Sequence, residues 1–445
     1  MLASLRAAGV LSGLDEHFAQ AMSRISGEGR AEVLLAAALA SRQVGEGNVC
    51  LDLARPPNLT DDEGTPVAPP WPAADRWTDL VRSSPLVSST SPVPARPKAN
   101  RRSASGPSPC KGEGGRRPGE GAAPTPLLLH GTRLYLRRYW EHEQLVARIV
   151  RERSTIVEAG VDDDLLASGL ARLFPEAADT GPQRGFWDAP DDGQRVAAAT
   201  AVRRGLAVIS GGPGTGKTFT VAKVLALLVE QAFARRAAAP RIALLAPTGK
   251  AAARLQESVA RAKAGLGCGA EVLAAIPDEA STIHRALSPI AGSSTRFRRR
   301  HDDPLPADVV IVDEASMVDL ALMARLLDAV PASSRLILLG DKDQLASVEA
   351  GAVLADVVAA GGPSIVELST SRRYGAASPI GELARAINAG DAAAALGVLD
   401  ARAGDLELVE PPASGGLETA LADRIVEIFG GVLAAERPAD RLAGL

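Results

Sequence analysis

The sequence predicts an α/β fold, a parallel sheet with helices on both faces around a phosphate-binding loop, preceded by a small mainly helical domain. Three observations carry this. Residues 211–218 read GGPGTGKT, which fits G-x-x-x-x-G-K-[ST]. Short apolar runs recur at 206–210, 242–246, 308–312, 335–339 and 365–368, with helical patterns between them. Strands that alternate with helices indicate a parallel sheet covered on both sides. The third observation is that the apolar run ADVVIVDEAS (307–316) ends in two carboxylates.

Composition sets the limits. The chain has 445 residues, enough for two to four domains, and 46% hydrophobic content supports a sizeable core. A net charge of −4 is not that of a stand-alone basic nucleic-acid binder, so any such contact must come from a local cleft. Aromatic residues make up 3%, which leaves few platforms for stacking bases. Cys50, Cys110 and Cys268 are far apart and form no disulfide or zinc pattern, which fits a reducing cytoplasm. No signal peptide and no apolar run long enough to span a membrane is visible, so no membrane partner is expected.

Residues 1–82 begin with apolar positions at helical spacing, as in LDEHFAQAM and AEVLLAAALASRQV, and read as the first part of a helical domain. Residues 83–126 differ. Of these 44 residues, 23 are Pro, Gly or Ser, none is aromatic, and seven are Lys or Arg against two Glu. Such a stretch cannot bury enough apolar surface to offset its ordering entropy, and disorder is expected. Its charge could touch DNA phosphates; the competing reading is a solvated insertion. Residues 127–185 are the rest of the N-terminal region, where LLLHGTRLYLRRYW reads as a short strand pair leading into a helix.

The ATPase core is expected over 186–365. Gln194, 17 residues before Gly211, has an amide able to read the N6 and N7 edge of adenine, or it is a solvated helix-start residue. The apolar run 206–210 reads as a buried strand and KTFTVAKVLALLVEQAF as a helix. Gly211, Gly212, Gly214 and Gly216, with Pro213 and Thr215 between them, let the backbone turn tightly and aim N–H groups at phosphate oxygens. Lys217 supplies a cation for the β- and γ-phosphates, and Thr218 a hydroxyl ligand for Mg²⁺.

ALLAPTGKAAARL (243–255) is a strand, a polar turn and a helix start. Thr248, Gly249 and Lys250 sit where they could contact a nucleic-acid phosphate; Thr248 could instead cap the helix. STIHRAL (281–287) puts His284 and Arg285 on a second polar element, where His284 is structural or DNA-facing. Asp313 at a strand end can hold Mg²⁺, and Glu314 can orient or deprotonate the attacking water. In RLILLGDKDQL (335–345), the amide of Gln344 can sense the γ-phosphate, or the segment is an ordinary turn.

The ordered set Gln194, GGPGTGKT, APTGKAAARL, TIHR, VVIVDEAS and LLGDKDQL resembles superfamily 1 helicases of the 5′-to-3′ branch. It is similar, more closely, to the RecD helicases, the alpha-subunit family of exodeoxyribonuclease V. LDEHFAQAM, NVCLDL (48–53), RLYLRRYWEHE (133–143), DEASMVDLALMARLLDA, LLGDKDQLASVEAGAVL and LARAINAGD (383–391) carry that finer resemblance. Together these segments cover most of 1–55, 127–160 and 190–391.

The resemblance implies a RecA-like P-loop NTPase core, ATP and Mg²⁺ as cofactors, and a motor subunit of a RecBCD-type heterotrimer. That assembly processes double-strand DNA ends in repair and recombination. The N-terminal domain would dock on a partner subunit, Thr248 and His284 would face DNA, and Arg373 would reach the γ-phosphate from a second core starting near 366. Two departures qualify it. The family joins WTDLVRSSPLV (77–87) closely to LLLHGTRLYLRRYW, where a basic insert intervenes here. After Asp391 too few residues remain for the family's second core over 366–445, so a C-terminal truncation is expected. The alternative to a motor is then an ATP-binding subunit that only docks partners. A kinase or transporter ATPase fits poorly, because the DEAS and GDKDQ pair suits a motor and no LSGGQ-type signature is present.

Overall fold

A computed structural model describes residues 1–90 (apart from 62, 63, 68 and 70), 125–175, 192–368 (apart from 291, 294, 346 and 348) and 378–401, with 406, 408, 421, 422, 425, 426, 429 and 430. Helices α1 (Leu2–Ala7), α2 (Gly13–Ser26) and α3 (Ala31–Gly45) open the chain. A Ser12–Asp15 capping box starts α2. Then come β1 (Cys50–Asp52), a small ribbon of β2 (Leu59–Thr60) and β3 (Pro66–Val67), α4 (Ala74–Arg82) and β4 (Val87–Thr90). β5 (Leu127–His130) and β6 (Arg133–Leu136) form a hairpin that runs into α5 (Arg137–Ser154). These strands make a sheet in the order β1-β6-β5-β4, on which α1–α4 bury one apolar cluster. Trp77 sits fully buried in it and donates its indole N–H to the Glu32 carbonyl at 2.9 Å.

After α6 (Asp163–Leu173) and α7 (Asp192–Arg203), strands and helices alternate. They are β7 (Leu206–Gly211), α8 (Lys217–Ala234), β8 (Ile242–Ala246), α9 (Gly249–Lys263), α10 (Ala270–Ala275), β9 (Ser281–Thr282), α11 (Ile283–Leu287) and β10 (Val309–Val312). A 3-10 turn (Ala315–Met317), α12 (Leu320–Ala329), β11 (Arg335–Gly340), α13 (Val353–Ala360) and β12 (Ile365–Leu368) complete the core. The sheet is parallel, in the order β12-β7-β11-β10-β8-β9. A second unit, 371–445, contains α14 (Pro379–Asn388) and α15 (Ala392–Asp400).

Alternation along the strands builds two cores. Ala207, Ile209, Ile311 and Ile337 point to the layer of α6–α10, while Leu206, Val208, Val310 and Leu336 point to the layer of α5, α11 and α12. A period of two sends successive side chains to opposite faces, so both layers are seeded by the same strands. Each buried Leu, Ile or Val adds about 1.5–3 kcal/mol.

Three expected boundaries shift. Residues 83–90, expected to be disordered, contain a strand: β4 pairs in parallel with β5, and Leu86 and Val87 are buried in the N-terminal core. Proline and serine content hid it, because only the tertiary partner supplies the apolar burial. Of the remaining insert, 91–124 lies outside the described residues. Within 127–185, assigned to the N-terminal region, α5 and α6 pack on the parallel-sheet core, through Tyr139 and Val146 on one face and Leu166 and Leu170 on the other. Finally, β12 runs past the expected boundary at 365 and pairs with β7, so the first core reaches Leu368.

Candidate active site

The phosphate loop bridges the end of β7 and the start of α8. Gly216 caps α8 with φ +81°, a left-handed conformation that favours glycine. Thr220 Oγ1 donates to the Gly216 carbonyl at 3.0 Å and Thr215 Oγ1 to the Gly212 carbonyl at 2.9 Å, which fixes the loop from both ends. Lys217 Nζ folds onto the loop, donating to the carbonyls of Gly211 and, at 3.1 Å, Gly212. Burial pulls the Lys217 ammonium below its usual range, opposed by Asp341, Glu314 and Asp313.

The strand β10 carries the acidic pair to the same place. Thr218 Oγ1 donates to Asp313 Oδ2 at 3.3 Å, across 95 residues of sequence. Asp313 is buried, and that burial pushes its carboxyl up against the hydrogen bond from the Glu314 amide at 2.9 Å. Glu314 adopts φ +52°, ψ +40°, rare for a residue with a side chain. Such strain of about 1–3 kcal/mol concentrates at functional sites. β11 lies between β7 and β10 in the sheet, so its end delivers Gln344 to the acidic turn. There Ser316 Oγ donates to Gln344 Oε1 at 3.2 Å.

Four of these groups line one cleft of about 800 Å³, and Lys217 and the loop glycines are not among its lining residues. Thr218, Asp313, Glu314 and Gln344 form one part of its wall, and Thr248 and Lys250 another. Thr248 also caps α9, accepting from the Ala251 amide at 3.2 Å, which is the capping role the sequence left open. The sequence reading missed Arg254 and Ser258, which line the same cleft. Successive spacings of four, Lys250 to Arg254 and Arg254 to Ser258, place all three on one face of α9, and that spacing was the available signal.

Two expected residues sit differently. Gln194 is fully buried, and its amide donates to the Thr215 carbonyl at 2.7 Å. In this arrangement it braces the phosphate loop, and it is not the solvated helix-start residue of the alternative. His284 is exposed on α11, outside the cleft lining, with its ring 5.7 Å from that of Phe297. Arg373 lies outside the described residues. Among the described residues, no group of three or more His, Cys, Asp and Glu could hold a metal ion, and no helix is long and apolar enough to cross a membrane. Thr218 and Asp313 nevertheless offer two hard oxygen donors at one point, which fits Mg²⁺ completed by phosphate and water oxygens.

Two family models match. Residues 7–98 match the N-terminal domain of the RecBCD enzyme subunit RecD, and 194–350 match an AAA domain. The chain is 42% identical over 90% of its length to the RecBCD enzyme subunit RecD of Mycolicibacterium smegmatis, covering 62% of that protein. It is 41% identical over 92% of its length to its counterpart in Mycobacterium tuberculosis, again covering 62%. An ATP-dependent RecD2 DNA helicase from Deinococcus radiodurans is 40% identical over 42% of this chain and 22% of its own length. The chain thus spans about three fifths of the length of these RecD relatives.

Proposed function

We propose that this chain, a member of the RecD family, is the ATP-driven, 5′-to-3′ DNA helicase subunit of a cytoplasmic exodeoxyribonuclease V complex of the RecBCD type. In this reading it works on a single strand drawn from a duplex end, in double-strand break repair and recombination. The observation that carries it is the shared cleft: Thr218, Asp313, Glu314 and Gln344 occupy the same cavity as Thr248 and Lys250. A nucleotide-hydrolysing group and phosphate-contacting groups in one cleft allow hydrolysis to be felt by a bound strand.

Each residue has a role in that reading. The loop amides and the N-terminus of α8 receive the nucleotide phosphates. Lys217 leaves the carbonyls of Gly211 and Gly212 for the β- and γ-phosphate oxygens. Thr218 and Asp313 would hold Mg²⁺, which would offset charge on the transferred phosphoryl group. Glu314 orients the attacking water and takes its proton. Gln344, tied to Ser316, reports the γ-phosphate to the acidic turn. Gln194 reads adenine by shifting part of its hydrogen bonding from the loop. Thr248, Lys250 and His284 contact the DNA backbone, and the N-terminal domain docks on the other subunits.

The test is ATP hydrolysis by the full chain with and without single-stranded DNA, followed by unwinding after reconstitution with its partner subunits. DNA should stimulate hydrolysis, and Lys217→Ala should abolish nucleotide binding. If Lys217→Ala binds ATP as tightly as the parent, the site is wrong. If ATP is bound but DNA neither binds nor stimulates hydrolysis, the motor role is wrong.

A further inference from the structure

A second cavity of about 570 Å³ shares no lining residue with the active-site cleft. It opens between β1 and β6 of the N-terminal sheet, α5, and the α13–β12 segment of the core. Val146, Val150, Val353 and Val357 form its apolar wall. Two carboxylates, Glu143 on α5 and Asp356 on α13, face the same space from opposite elements.

The charge balance at those carboxylates is unusual. Neither has an ion pair within 4 Å among the described residues. The apolar surroundings push both carboxyls above their ordinary range, and Asp356 pushes Glu143 further. Arg133, on β6, is the cation that acts on Glu143, and its guanidinium is hydrogen-bonded to the Tyr135 hydroxyl. Arg151 also lines the cavity and is exposed. Glu143 is half-buried and hydrogen-bonded to the Tyr135 hydroxyl, whereas Asp356 is exposed. A carboxylate beside an apolar wall is stabilised by a cation brought into contact with it.

We propose that this cavity binds a small organic ammonium ion, its cationic head between Glu143 and Asp356 and its apolar body on the valine wall. The volume lies within the ~300–1,000 Å³ of small-molecule sites, which combine an apolar lining with a few convergent polar groups. An anion of the same shape would meet the two carboxylates beside the apolar wall, while Arg133 is already engaged by the Tyr135 hydroxyl and Arg151 is exposed. A neutral hydrocarbon would desolvate both without giving them a partner.

The test is calorimetric titration of the full chain with 2-phenylethylammonium, 4-phenylbutylammonium and 2-(2-naphthyl)ethylammonium, with 3-phenylpropanoate as the matched anion. At least one ammonium probe should bind saturably and the anion should not. Glu143→Gln with Asp356→Asn, which keeps shape and removes charge, should weaken binding about tenfold or more. Val357→Trp should abolish it by filling the cavity. The double amide variant should keep its circular dichroism and nucleotide affinity, so the test stands even if Val357→Trp fails to fold. The proposal is overturned if no ammonium probe binds, if the anion binds as well, or if binding survives the double amide variant unchanged.

Discussion

A β-carbon on Gly216 would lie 2.4 Å from the side-chain nitrogen of Gln194, a residue 22 positions earlier and fully buried. The turn that receives phosphate is therefore packed from behind by α7, and its glycine is required twice. The left-handed backbone favours glycine, and the buried amide leaves no space for a side chain.

Gly216→Ala should accordingly cost about 1–3 kcal/mol of stability and displace Gln194 from the Thr215 carbonyl. Nucleotide affinity should fall with it. Denaturant unfolding and titration with a fluorescent nucleotide check this together. Unchanged affinity would mean that the loop does not need the Gln194 brace.

Lys250→Ala should weaken binding of single-stranded DNA uniformly across sequences and lower the salt slope by about one unit, with ATP affinity preserved. Thr248→Ala should do more, because it removes the α9 cap, worth about 1 kcal/mol, as well as the proposed DNA contact. Binding measured over a series of salt concentrations separates the two variants. An unaltered slope for Lys250→Ala would remove that residue from the DNA path.

Arg153 is buried and donates to three carbonyls, Ser334 at 2.7 Å, Val330 at 2.9 Å and Pro331 at 2.6 Å. It clasps α5 to the turn between α12 and β11. Arg153→Met keeps much of the stem but leaves these carbonyls without that donor, at a cost of about 2–4 kcal/mol. Thermal and denaturant unfolding should show the loss, with nucleotide binding retained at low temperature. A change below about 0.5 kcal/mol would count against the clasp.

Glu28 is held down to about 2 from 4.5, first by the hydrogen bond from Arg30, with burial opposing and Ser84 adding to the lowering. A depressed carboxyl stabilises the fold above its unfolded value and loses that contribution as pH falls toward the folded one. The difference in unfolding free energy between parent and Glu28→Gln should be about 2 kcal/mol at neutral pH. It should shrink as pH falls from about 4.5 to about 2. A difference that stays constant over that range would show that the Arg30 contact does not set the Glu28 titration.

The parallel core and its chemistry were legible because their signals are local. Apolar runs, GGPGTGKT and the DE pair each state a strand end or a turn within a few residues, and every core strand but the two-residue β9 follows from them. The sequence thus determined a P-loop core with a parallel sheet and singled out Thr218, Asp313, Glu314 and Gln344, which line one cleft, with Lys217 next to Thr218. Tertiary structure alone decided the rest. It put Gln194 behind the phosphate loop, drew β4 from a proline-rich stretch into a sheet, and laid α5 and α6 on the parallel-sheet core. It also set Glu314 in a left-handed turn and gave Arg153 its three carbonyls. The physical reason is the range of the interactions. A strand or phosphate loop is specified by neighbours in sequence, whereas burial and polar satisfaction depend on groups that only the closed fold brings into contact.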